Sequence, residues 1–125
     1  MTVRSQKARL SDIIESIEHI RSEIAGATLD SFEADWRKRW LVERGVEIIS
    51  EASRHLTDTV KARHPEIPWR KVAGIGNILR HEYQRIAPDV LWGLIEEDLP
   101  PLELACRTEI ARENHEQKGW PGSLC

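Results

Sequence analysis

The sequence predicts an all-α protein, an up-and-down bundle of four to five helices. Three observations predict it. Apolar residues recur at helical spacing, proline and glycine punctuate the chain at a few places, and no strand-like alternation or internal repeat appears. Short connections between such helices favour antiparallel neighbours.

The first helix is marked by Leu10, Ile13, Ile14, Ile17, Ile20 and Ile24, which fall on one stripe. Asp12, Glu15, Glu18, His19 and Arg21 make its wet side, and Gly26 in Ala25-Gly26-Ala27 is a natural C-terminal stop. Thr28 and Asp30 are then positioned to cap a second helical segment. From Asp30 to Ala62 there is no proline, so the expectation is one long helix, or two with a bend near Arg39 or Gly45. Phe32, Trp36, Trp40, Leu41, Val46, Ile48, Ile49, Ala52 and Leu56 cover more than one stripe of it, which suits a central helix. Arg63 to Pro68 (RHPEIP) is a break, with Pro68 well placed as a first helical residue.

The next helix runs from Trp69 to about Tyr83, with Trp69, Val72, Ala73, Ile75, Ile78 and Leu79 available for the core. Gly74 and Gly76 lie inside it, each costing about 1 kcal/mol against alanine, so a close approach of another backbone or a bent segment is expected there. Pro88 opens a fourth helix, Leu99-Pro100-Pro101-Leu102 should break or kink it, and a short helix from Pro101 to about Arg112 follows. These elements fit one domain, residues 1–112, with a polar tail over 113–125. Trp36, Trp40, Trp69 and Trp92 are spread over the helices and suit either the core or a dimer interface, where tryptophan is enriched.

Composition narrows the function classes. With 125 residues, 40% hydrophobic and 31% charged, the chain is neither disordered nor membrane-embedded by composition. No apolar run reaches the ~18 residues of a membrane span, and Met1 to Leu10 lacks the apolar core of a secretory signal, so a cytoplasmic protein is expected. Cys106 and Cys125 form no metal or redox spacing. The net charge of -3 does not suit gripping long nucleic acid by charge alone; RNA chemistry would need a local basic site.

The densest chemical signal is Gly76-Asn77-Ile78-Leu79-Arg80-His81-Glu82-Tyr83-Gln84-Arg85. A histidine ordinarily titrates near neutrality and can take or give a proton at cellular pH. A guanidinium can hold a phosphate by paired hydrogen bonds and stabilise charge developing on it. By residue type alone, a solvated helix end with local ion pairs is the favoured reading. Arg37-Lys38-Arg39 followed by Trp40 is either a solvated face or a surface that touches RNA by charge and stacking. Glu43, Glu47 and Glu51 step by four along one face, which calls for basic neighbours such as Arg44. His19, His55, His64, His81 and His115 make no convincing metal site, and no cofactor is implied. Gly74 and Gly76 lack the preceding strand of a phosphate loop.

Several spaced motifs in order carry a resemblance. LSDIIESIEHI, VEIISEASRHL, RHPEIPWRKVAGIGN, LRHEY, DVLW and EEDLPPL together resemble the HepT-like ribonuclease toxins of the HEPN superfamily, from about Leu10 to Leu102. The resemblance implies a HEPN-like helical bundle that dimerises and a metal-independent endoribonuclease. It also implies an adjacent nucleotidyltransferase antitoxin of the MNT type, which in some pairs neutralises the toxin by AMPylation of a tyrosine. The family signature is an arginine followed by a polar residue, with a histidine five positions after the arginine and a tyrosine two beyond it. By that pattern His81 is the catalytic histidine, Asn77 the polar residue and Tyr83 the AMP acceptor. The arginine position is Gly76, a departure from the pattern.

Three outcomes of that departure stay open. Arg80 supplies the guanidinium; or Arg44 or Arg70 does so across a cleft or a dimer; or the fold is a catalytically inactive HEPN module that binds a nucleotidyltransferase or a nucleotide. Arg85, Arg44 and Arg70 are the candidate substrate-binding cations. In the ribonuclease reading, His81 is base or acid in the attack of a 2′-hydroxyl on the adjacent phosphorus, paired histidines of two subunits divide those roles, and Arg80 stabilises the transition state. A plain helical interaction protein with a structural His81 is the remaining reading.

Overall fold

A computed structural model describes residues 5–82 and 87–118. Four long helices form the frame: α1 (Lys7–Ile24), α3 (Trp36–Arg54), α5 (Trp69–Glu82) and α7 (Leu99–Lys118). Shorter helices α2 (Leu29–Ala34), α4 (Asp58–Ala62) and α6 (Pro88–Gly93) link them, and no strand occurs among the described residues. The order across the bundle is α5, α3, α1, α7, since α3 packs against both α5 and α1, and α1 also packs against α7.

The α1 stripe is the centre of the core. Leu10, Ile13, Ile14, Ile17 and Ile20 are buried and Ile24 is partly buried against them. Fully burying a side chain of this size contributes roughly 1.5–3 kcal/mol. Gly26 ends the helix with φ +77°, a left-handed conformation that L side chains resist.

The long second segment divides elsewhere than the apolar pattern suggests. Thr28 caps α2 through a capping box with Ser31, whereas Asp30 sits in the first turn. The break falls at Asp35, whose carboxylate accepts the backbone N–H groups of Arg37 and Lys38 and so caps α3. Neither Arg39 nor Gly45 is a break, as α3 runs through both. Gly45 instead allows α1 to come close: a Cβ there would meet Ile20 at 2.9 Å. The helix also stops at Arg54 rather than reaching Ala62, and Thr57 caps the separate α4.

At the RHPEIP break, Ile67 is buried and Pro68 accepts the N–H of Val72, one position before the first helical residue. At the other proline pair the chain bends without breaking. Residues Leu94–Asp98 form a π-helical turn that leads directly into α7. Pro100 and Pro101 follow this turn without a gap in the helix, and their missing N–H groups leave carbonyls of the turn before without α-helical partners, which suits the wider π-helical winding there. That helix, expected to end near Arg112, continues through Lys118. The extra turns are tied to the start of α1: Glu113 accepts the Gln6 backbone N–H at 2.7 Å, and Asn114 accepts from Lys7 at 3.1 Å.

A polar cluster that no local pattern announced fixes the α4–α5 connection to α7. Glu109 is buried, and it accepts Arg63 Nη2 at 2.6 Å, Arg63 Nε at 3.1 Å and His64 Nε2 at 2.7 Å. The Arg63 guanidinium holds the Glu109 carboxyl below its ordinary value against the opposing effect of burial, and His64 adds to the lowering. A carboxyl depressed in the folded state contributes stability above the ordinary carboxylate range, and that stability is lost as pH falls through the folded-state value. Glu109→Gln should therefore lower stability at neutral pH by about 2 kcal/mol. It should also flatten the acid limb of stability against pH, as thermal melts from neutral to acid conditions would register. A variant as stable as the parent at neutral pH would show that the cluster does not brace the loop.

Candidate nucleic-acid site on α5

The face that holds the candidate residues is set by how α5 lies on α3. Val72, Ile75 and Leu79 are buried toward the bundle. Asn77, Arg80 and His81 are three and four positions apart, so they share the opposite, exposed face. Ile78, available for the core by its spacing, is instead 41% exposed beside them, because the α5 face packed on α3 is the one that carries Val72, Ile75 and Leu79.

Gly76 lies on the buried side of the helix, and its packing accounts for the residue. Its N–H donates to Ser50 Oγ at 3.2 Å, and that hydroxyl in turn donates to the Ala73 carbonyl at 2.7 Å. A Cβ at position 76 would meet Ser50 Oγ at 2.5 Å and Ser50 Cβ at 2.6 Å. Real Cβ atoms do not approach so closely. The close approach expected from the two glycines is thus made at Gly76 alone, since a Cβ on Gly74 would meet nothing within 4 Å.

The acidic stripe of α3 does have basic neighbours. Arg44 pairs with Glu47 at 3.3 Å. Glu51 gathers three basic side chains: His55 Nε2 at 3.1 Å, Arg54 at 3.8 Å and Arg80 at 3.8 Å. The hydrogen bond from His55 is the main reason that the Glu51 carboxyl titrates below its ordinary value. Burial chiefly pushes Glu43 the other way, with Arg39 opposing and Glu47 reinforcing. Glu51 was legible as part of the stripe but not as the partner of Arg80.

The Arg80–Glu51 pair is long and half-exposed on both sides. Such pairs contribute about 0–1 kcal/mol, so Arg80 can exchange Glu51 for a phosphate at little cost. Phosphate offers the bidentate hydrogen bonding that a single contact at that distance lacks.

The remaining candidates are placed as follows. Arg70 is exposed on the first turn of α5, seven residues before Asn77 and two turns away along the same stripe. Arg44 lines a groove of about 440 Å³ between α1 and α3, with His19, Leu41 and Ile48, and does not join the α5 face within one copy of the chain. Tyr83 and Arg85 lie outside the described residues. The tryptophans divide: Trp92 stacks near Phe32 at 5.4 Å, and Trp69 donates to the Lys61 and His64 carbonyls, whereas Trp36 and Trp40 are exposed. The buried Cys106 thiol is pushed up to about 12, chiefly by burial, which leaves it inert as a nucleophile. No group of three or more histidine, cysteine, aspartate or glutamate side chains is placed to hold a metal ion among the described residues. No helix there is long and apolar enough to cross a membrane.

The family model described as "Ribonuclease HepT-like" matches residues 13–109. A protein of Thermococcus cleftensis named "Probable ribonuclease HepT" is 39% identical over 100 residues, covering 80% of this chain and 91% of its own. A Methanocaldococcus jannaschii protein, also named as an RNase, is 34% identical over 103 residues, covering 82% of this chain and 94% of its own. No solved structure gives a significant match. A family match over most of the chain, with relatives matched over nearly their whole length, places this protein in the HepT-like ribonuclease family.

Proposed function

We propose that this protein is an endoribonuclease that cleaves RNA by metal-independent transesterification, with His81, Arg80 and Asn77 as its working residues. The observation that carries the reading is the shared exposed face of α5, where a histidine and a weakly held arginine stand within one helical turn. A 2′-hydroxyl attacks the adjacent phosphorus, displacing the 5′-oxygen of the next nucleotide. His81 takes the hydroxyl proton or gives one to the leaving oxygen. Arg80 stabilises the charge that develops on the phosphoryl oxygens, and Asn77, one turn before His81, orients either group. The products are a 2′,3′-cyclic phosphate and a 5′-hydroxyl.

One histidine cannot hold both proton roles in the same step. The reading therefore takes the active form as a homodimer in which two α5 faces share one groove. The exposed Ile78 and Val90, 41% and 50% accessible, supply apolar surface for such a contact. The reading further takes the chain as the toxin of a toxin–antitoxin pair acting in the cytoplasm, with an MNT-type nucleotidyltransferase as partner. AMPylation of Tyr83, two residues after His81, would block RNA by bulk and negative charge. Arg70 on the first turn of α5, and Arg85 four residues after His81 in the sequence, serve to hold substrate phosphates.

The inactive HEPN module is the second reading, and Gly76 in the arginine position is what favours it. One experiment separates the two: cleavage of total RNA by protein made without any partner, beside Arg80→Ala. The ribonuclease reading expects cleavage that falls about 10²–10³-fold in Arg80→Ala. It also expects protein co-produced with a cognate nucleotidyltransferase to be silent and to carry one AMP on Tyr83 by peptide mass. Intact RNA with the folded, unmodified protein would leave the binding module standing.

A further inference from the structure

We infer that the start of α3 is a second RNA contact, a stacking platform for unpaired nucleobases formed by Trp36 and Trp40 and bounded by Arg37 and Arg44. The inference rests on the ribonuclease reading of the α5 face and extends it to how the substrate strand is held.

Large indoles on a small protein are normally buried. Here Trp36 is 49% and Trp40 65% exposed, although the bundle core is filled without them. Their rings lie 4.8 Å apart at 71°, so each fixes the other while an outer face of Trp40 stays open. The Arg37 guanidinium sits 5.3 Å over the Trp36 ring, a cation–π contact that preorganises the charge beside the aromatic surface. Arg44, with 72% of its side chain accessible, follows Trp40 by one turn. Trp36, Trp40 and Arg44 thus form an i, i+4, i+8 stripe, each step about 6 Å along the helix.

The pieces around the platform are already committed, which makes it rigid. Asp35 caps the helix through the N–H groups of Arg37 and Lys38. Lys38 is drawn away to the Glu23 carbonyl at 2.8 Å. Arg37, and Arg44 in its exposed pair with Glu47, are the cations bordering the indoles. Aromatic faces interleaved with cations match the two chemistries of a single strand, π-faced bases on a phosphate backbone.

The platform also lies on the route to the α5 face. Ser50 touches Ala73 and Gly76, and Gly76 also comes within reach of Glu47, one turn earlier on α3. The C-terminal half of α5 therefore runs toward the N-terminal half of α3. The stripe from Trp36 through Arg44 leads to Glu47 by their ion pair, and so to the helix that carries His81. A strand crossing from one to the other would place bases on the indoles and a phosphate at Arg80.

The test uses the full chain carrying His81→Ala, so that RNA is bound and not cut. A fluorescently labelled single-stranded oligoribonucleotide and an abasic oligomer with the same number of phosphates are titrated by anisotropy. Trp40→Ala and Trp36→Ala should each weaken binding of the base-bearing strand about 5- to 100-fold, and Trp40→Phe should restore most of it. The same variants should leave the weaker binding of the abasic oligomer unchanged. Equal affinity of parent and both alanine variants for the base-bearing strand would overturn the platform and leave RNA binding at α5 intact. Loss of self-association in the alanine variants, with RNA affinity unchanged, would overturn it in favour of an interface between copies of the chain. Binding of neither oligomer by the folded parent would overturn the platform together with the ribonuclease reading.

Discussion

His81→Ala should lower the rate of RNA cleavage by about 10²–10⁴-fold, the range of a lost general acid or base, and leave the fold unchanged. His81 is exposed on the last turn of α5, and substitutions at such surface positions usually stay within about 0.5 kcal/mol. A melt matching the parent would therefore separate lost chemistry from lost structure. Of the other described histidines, His55 shares Glu51 with Arg80, so His55→Ala is the control that keeps the assignment to His81 specific. His64 is bonded to the buried Glu109, His19 lines the groove between α1 and α3, and His115 sits on α7. A His81→Ala protein that cut RNA at the parental rate would put the proton-transferring group somewhere else.

Gly76→Arg should destabilise the protein by about 3 kcal/mol or more, because the clash is with a side chain that cannot yield by rotation. The Cβ of any residue at position 76 would lie 2.6 Å from Ser50 Cβ, and only a shift of α5 from α3 relieves that. Adding Ser50→Gly removes both short contacts, leaving the Glu47 Cα at an ordinary 3.7 Å. The double variant should recover most of the lost stability, and denaturant unfolding of the parent, both single variants and the pair would measure the coupling. The same pair bears on the chemistry. Position 76 faces α3 and not the exposed Asn77–Arg80–His81 face, so the double variant should not restore cleavage to an Arg80→Ala background. Independent, additive effects of the two substitutions would show that Ser50 does not close the position.

The motif order and the α1 stripe were legible because they are local. Leu10 to Ile24 reads as a helix from spacing alone, and Gly26 reads as its stop from the cost of a left-handed residue. The division at Asp35 was not, since Phe32, Trp36 and Trp40 continue an apolar rhythm across it. That rhythm suggests burial for the two tryptophans, yet they are exposed; only the tertiary arrangement distinguishes a core indole from a surface one. Pro100 and Pro101 announced a disruption, but its form, a single wide turn ahead of α7, depends on how the prolines fit the first turn of the following helix.

At the site, the grouping of Asn77, Arg80 and His81 on one face follows from helical spacing and was readable beforehand. The reason for Gly76 was not. It lies in Ser50, 26 residues earlier, whose hydroxyl is hydrogen-bonded to α5 at both Ala73 and Gly76. Glu109 was equally silent, because its partners Arg63 and His64 meet it only once α7 has folded back along α1. The Arg63-His64 pair thus has an observed structural task, which keeps these two basic residues out of the catalytic account.

The most direct measurement is the chemistry of the ends left on RNA by the folded protein, produced without a nucleotidyltransferase and assayed in EDTA. The account predicts cleavage in the chelator, with 2′,3′-cyclic phosphate and 5′-hydroxyl ends, as attack by the neighbouring 2′-hydroxyl requires. Cleavage that needs an added divalent cation and leaves 5′-phosphate ends would contradict it, and so would RNA left whole by an unmodified, folded protein.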